Sequence, residues 1–168
     1  MFWADILLYI ILFVVMVIDL RTKYIYDVHL IAAGVVILIG LWDKPLLEHF
    51  IGAGLGFLIG FIIYKVAYWV YKMEAFGFGD VLLFGILGFY LGWIKFLNFF
   101  GITNIVMAFI GIIFLLVTLG RYRNLEIPLA PVYVLGLYGY KFMGSPDLYQ
   151  FVFMIRIFGD KVMAYIGI

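Results

Sequence analysis

Cysteine is absent from this chain of 168 residues. That excludes disulfides, cysteine-based zinc sites, iron–sulfur clusters and thiol catalysis, and it leaves the redox compartment open. Charge is scarce too. Only 12% of residues are Asp, Glu, Lys or Arg, and the formal net charge is +1, so there is no basic field suited to nucleic acid. Serine occurs once, as Ser145, and histidine twice, as His29 and His49. The expected topology puts the two histidines on opposite membrane sides and Ser145 away from both. A shared metal site and a serine triad are therefore poorly supported. No metal or cofactor is expected.

What the chain has is apolar surface: 68% of residues are hydrophobic and 21% aromatic. A soluble domain of this length could not bury that much. The fold class is an all-α polytopic membrane protein, in a single domain. A crossing needs about 20 apolar residues. The sequence offers six candidate helices, near 2–20, 28–41, 50–71, 80–96, 99–119 and 128–143. Residues 1–145 hold this core. Residues 146–168 are long enough for a seventh span, but Arg156, Asp160 and Lys161 favour an amphipathic helix in the interface. The first segment has no basic n-region and no small-residue cleavage site, so it reads as a retained span. The connectors with Arg21 and Lys23, with Lys72, and with Arg121 and Arg123 are basic. By the positive-inside rule they face the cytoplasm. That puts the amino terminus outside and Asp19, Asp27, Asp80 and Glu126 at the cytoplasmic face of a cell membrane.

An ionisable residue at the mouth of an apolar helix is a functional candidate by default. Asp80 is one, introduced by Gly77-Phe78-Gly79, and Asp19 at the end of the first helix is another. Glycines at 77 and 79 permit positive φ and close backbone approach, and so aim Asp80 at a partner. The bland alternative makes Asp80 the N-cap of its helix. For Asp19 the alternative is a solvated pair with Arg21 or Lys23. Two carboxyls that share a proton can carry out aspartic proteolysis with no metal or covalent intermediate. Asp27 either caps the second helix or supports the site. Glu74 and Glu126 are surface carboxylates or an acidic rim for a basic substrate segment. Gly52, Gly56 and Gly60, and likewise Gly88 and Gly92, are spaced as small-residue packing faces.

The stretch from Ile18 through Asp19, Arg21 and Lys23 to Asp27 resembles the first signature of the type IV prepilin peptidases. Gly77-Phe78-Gly79-Asp80 with Val81 matches their second. Ile127-Pro128-Leu129-Ala130-Pro131, followed by Gly136, looks like the opening of their last core helix. The resemblance covers about residues 5–145 and includes the archaeal preflagellin peptidases. It implies a membrane aspartic endopeptidase that removes a short basic leader from pilin-like or archaellin precursors at the cytoplasmic membrane face. Carried over by position, Asp19 and Asp80 are the catalytic pair, and Gly77 and Gly79, around Phe78, shape the second site. Asp27, Glu74, Glu126 and Pro128 are supporting or leader-contacting residues. Tyr26 and Leu82 stand where many bacterial members have Pro and Lys, which tilts the reading toward the archaeal type. The four-cysteine cytosolic domain has no counterpart, so peptidase activity without N-methylation is expected.

Two other readings compete. Presenilin-like intramembrane proteases also use Gly-x-Gly-Asp, but have more spans and a Pro-Ala-Leu motif that Pro128-Leu129-Ala130 is not. A transporter or scaffold subunit would use Asp19 and Asp80 for ion binding.

Overall fold

The computed structural model describes residues 2–71, 77–118 and 129–166. Regular structure among the described residues is helical throughout: α1 (Phe2–Thr22), α2 (Asp27–Gly40), α3 (Leu46–Tyr71), α4 (Phe78–Leu91), α5 (Trp93–Thr118), α6 (Leu129–Phe142) and α7 (Leu148–Ile166). The segments 3–22, 46–70 and 93–113 are long and apolar enough to cross a membrane. α2, α4 and α6 have 14 residues each, about 21 Å of helix.

Leu8, Leu12, Val15 and Asp19 form the buried stripe of α1, at the spacing of one helical face. α4 is the centre of the bundle: seven of its residues are buried, and it packs against α2, α3, α5 and α6. Large apolar side chains such as Ile10, Phe13, Ile62, Ile112 and Ile113 stay exposed. A surface of this kind is explained by lipid as the surrounding solvent.

The closest approach is between α3 and α4. A Cβ on Gly56 would collide with the Phe84 carbonyl oxygen, one on Gly52 with the Gly88 carbonyl oxygen, and one on Gly88 with the Gly52 carbonyl oxygen. At Gly60 it would meet the Val81 Cα at 3.0 Å. The two helices therefore meet backbone to backbone, as the glycine spacing predicts.

Gly92 does something else. The fourth helix is expected to run to residue 96, but it stops at Leu91 and α5 starts at Trp93. Gly92 lies between them at φ +76°, with its N–H donating to the Gly88 carbonyl at 2.9 Å. Its left-handed backbone makes it a helix terminator, and Lys95 belongs to the first turn of α5. His49, expected in a loop or at the interface, is in the first turn of α3. Its Nδ1 donates to the Phe89 carbonyl at 2.8 Å, which satisfies one of the carbonyls left open where α4 ends. Among the described residues, α7 packs against α5 alone.

Gly56→Ala is expected to destabilise the bundle by about 1–3 kcal/mol. Gly54→Ala, on the same helix with nothing within 4 Å of its new methyl, should be neutral or stabilising. Thermal unfolding of the two variants in one detergent decides between a packing face and a merely glycine-rich helix.

Candidate active site

Asp19 lies one turn before the end of α1, where the helix dipole disfavours a negative charge. It is 4% exposed. The compensation comes from α6, whose Ala130 N–H donates to Asp19 Oδ2 at 3.1 Å. Ala130 is the second residue of α6, so this is one of the N–H groups that a helix start leaves without a partner. The same turn directs the positive end of the α6 dipole at the carboxylate. α1 then closes at Lys23, whose backbone is left-handed at φ 54° and whose N–H donates to the Asp19 carbonyl at 2.8 Å.

Asp80 is the third residue of α4, and Gly77 holds the N-cap position. Asp80 is therefore not the cap itself. Its carboxyl reaches back to accept the Gly77 N–H, which is the return half of a capping box. Gly77 has φ −74°, so no left-handed backbone is needed there. Phe78 packs edge-on against Phe57 and Tyr64 of α3, at centroid distances of 6.3 and 6.2 Å, and pins the start of α4.

The role of Gly79 is steric. A Cβ there would come within 2.8 Å of the Ile25 Cβ and 3.2 Å of the Ile25 carbonyl oxygen. Ile25 is buried in the connector between α1 and α2. That connector seats directly on the first turn of α4 because residue 79 has no side chain.

These contacts bring Asp19 and Asp80 to the same end of the bundle, near enough for the charge of one to act on the other. They do so although no Cα of α1 comes within 8 Å of a Cα of α4. No hydrogen bond joins the two carboxyls. Each is held by a backbone N–H from one side, Ala130 for Asp19 and Gly77 for Asp80.

Asp27 is exposed in the first turn of α2 and is not its cap. Tyr26 occupies that position, and it too makes no side-chain capping bond. Glu74, Glu126 and Pro128 lie outside the described residues. Three contributors escaped the sequence reading: Ile25, the Ala130 N–H and Tyr133. Tyr133 is buried, within electrostatic reach of Asp80, and its ring meets Phe84 edge-on at 4.5 Å. Its hydroxyl donates to Asn104 Oδ1 at 3.3 Å. Only Ala130 had a readable signal, because Pro128 and Pro131 on either side lack N–H groups and leave few donors in that turn.

The model for the type IV leader peptidase family matches residues 6–116. The chain belongs to the type IV leader peptidase family. The matched stretch contains Asp19, Asp80 and both glycines before Asp80. Compared with curated proteins and with solved structures, the chain has no significant match. Family membership makes this a membrane-embedded peptidase, and pilin-like precursors are the substrates that the family implies in general.

Gly79→Ala should cost about 1–3 kcal/mol, because the connector backbone at Ile25 must move. Gly77→Ala should cost less, because among the described residues its new methyl comes closest to the Asp80 Oδ2, at 3.3 Å, and a carboxyl can turn. Thermal unfolding of the two variants tests that order, and equal costs would refute the steric role of Gly79.

Proposed function

We propose that this protein is an aspartic endopeptidase of the cell membrane that cuts the short basic leader from pilin-like or archaellin precursors at the cytoplasmic face. One observation carries the reading. In a chain of the leader peptidase family, α1 and α4 bring Asp19 and Asp80 to one end of the bundle, each anchored by a backbone N–H.

Asp19 and Asp80 hold one proton between them. The ionised carboxyl takes a proton from water, and the protonated one hydrogen-bonds the scissile carbonyl oxygen. The water oxygen adds to the carbonyl carbon. The C–N bond then breaks as its nitrogen takes a proton, releasing leader and mature chain. Neither a metal nor a cofactor enters these steps. In this mechanism the water and the extended peptide lie between the two carboxyls.

The topology that goes with this reading has six spans, with α2, α4 and α6 crossing as short helices. The amino terminus is outside and α7 lies in the interface. The basic residues Arg21, Lys23, Lys72, Arg121 and Arg123 support that orientation. A leader places Lys or Arg beside an apolar helix, and Glu74 and Glu126 are the carboxylates proposed to receive it.

Asp19→Asn and Asp80→Asn should each lower cleavage of a leader-bearing precursor by at least about a hundredfold, with folding retained. Mass spectrometry should locate the wild-type cut just before the apolar segment. A cut within that segment, or activity that survives both substitutions, would overturn the reading. Glu74→Gln together with Glu126→Gln should raise KM by about fivefold and leave kcat unchanged, the size expected for exposed charge pairs. Unchanged KM would remove the acidic rim from the proposal.

A further inference from the structure

At the end of the bundle opposite Asp19 and Asp80, α1 and α6 leave a groove of about 640 Å³ between them. Ile6, Ile10 and Phe13 of α1 form one wall, and Tyr138 and Phe142 of α6 form the other, with Lys141 among them. The groove is open along its length to the surface that faces lipid.

A hydrogen-bonded network adjoins the groove through Tyr9 and Tyr138. Tyr90 donates to Asp5 Oδ1 at 2.9 Å, and the Tyr9 and Tyr90 hydroxyls are 3.2 Å apart. Tyr138 donates to the Tyr9 carbonyl at 2.7 Å. Lys141 differs. It is half-buried, its Nζ sits 5.0 Å over the Tyr90 ring, and among the described residues it hydrogen-bonds no acceptor. An ammonium has three N–H donors, and that of Lys141 is not sealed inside the protein, so an acceptor from outside can reach it. The charges that reach it are those of Lys95, Asp5 and Lys44. Asp5, the one carboxylate among them, already accepts from Tyr90.

We propose that this groove binds an anionic phospholipid, with an acyl chain against Ile6, Ile10 and Phe13 and the phosphate on Lys141. An apolar trough ending in a cation that can be reached from outside matches that ligand at both ends. The transmembrane segment of a precursor fits less well. Ile6, Ile10 and Phe13 lie on the lipid-facing side of α1, whereas Asp19 lies on the buried stripe with Leu8, Leu12 and Val15. A helix seated in the groove would be directed away from the carboxyls. The proposal is independent of which precursor the enzyme cuts.

Native mass spectrometry of the purified protein, titrated with phosphatidylglycerol and with phosphatidylcholine, tests it. Phosphatidylglycerol should bind at least about fivefold more tightly, the contribution of one lysine near a lipid phosphate. Lys141→Gln should abolish that preference and Lys141→Arg should keep it. Ile10→Trp, at a lipid-exposed position, should lower binding of both lipids by filling the trough, and it tests the groove alone if Lys141→Gln does not fold. The proposal fails if Lys141→Gln keeps the preference. It also fails if Ile10→Trp leaves binding unchanged, or if inorganic phosphate alone displaces the lipid completely. Displacement of the lipid by a precursor that crosslinks at position 10 would assign the groove to substrate instead.

Discussion

The backbone contact between α3 and α4 is the constraint on which the rest depends. In hydrocarbon there is no hydrophobic force to press helices together, so association rests on close van der Waals packing and on hydrogen bonds. Gly52, Gly56 and Gly60 on one helix, and Gly88 on the other, remove the side chains that would keep the backbones apart. α4 is short, and this interlock sets both its depth and its rotation about its axis. Phe78, wedged against Phe57 and Tyr64, repeats the constraint at the end where Asp80 sits. Rotating α4 by one residue would turn Asp80 about 100° away and would set Cβ atoms against the carbonyls of α3.

The other carboxylate is positioned by different means. α1 never packs its backbone against α4, so Asp19 reaches the site through intermediaries. The connector after α1 seats Ile25 on Gly79, and the first turn of α6 offers Ala130 N–H to Asp19. A buried carboxyl away from water needs such donors, and both come from backbone at helix starts, where N–H groups are free by construction. The site is therefore held by main chain, which cannot rotate away as a side chain can.

The two ends of the bundle are chemically unlike. At one end two carboxyls approach across a gap. At the other, the Asp5, Tyr90 and Tyr9 hydroxyl chain, the Tyr138 bond to the Tyr9 carbonyl and the His49 bond to Phe89 tie α1, α3, α4 and α6 together. Lys141 stands over the Tyr90 ring of that cluster.

Sequence alone determined the membrane class, the all-helical fold, the small-residue faces on α3 and α4, and the two aspartates with their glycines. Each rests on a local property: apolar runs of helix length, four-residue glycine spacing, and the expense of a carboxyl beside hydrocarbon. The break between α4 and α5 was misplaced because Gly92 reads as one more packing glycine. Only its left-handed backbone distinguishes it, and spacing does not reveal φ. Gly79 had a sequence signal, but the reason for it did not. The partner is Ile25, 54 residues earlier in the chain, and no local pattern links the two. Tertiary structure decided that α1 and α4 meet through α6 and a connector, that Ala130 and Gly77 hold the carboxyls, and that Tyr133 stands beside Asp80. These are contacts between segments far apart in sequence, fixed by how closely backbones can approach, and a linear pattern carries no record of that distance.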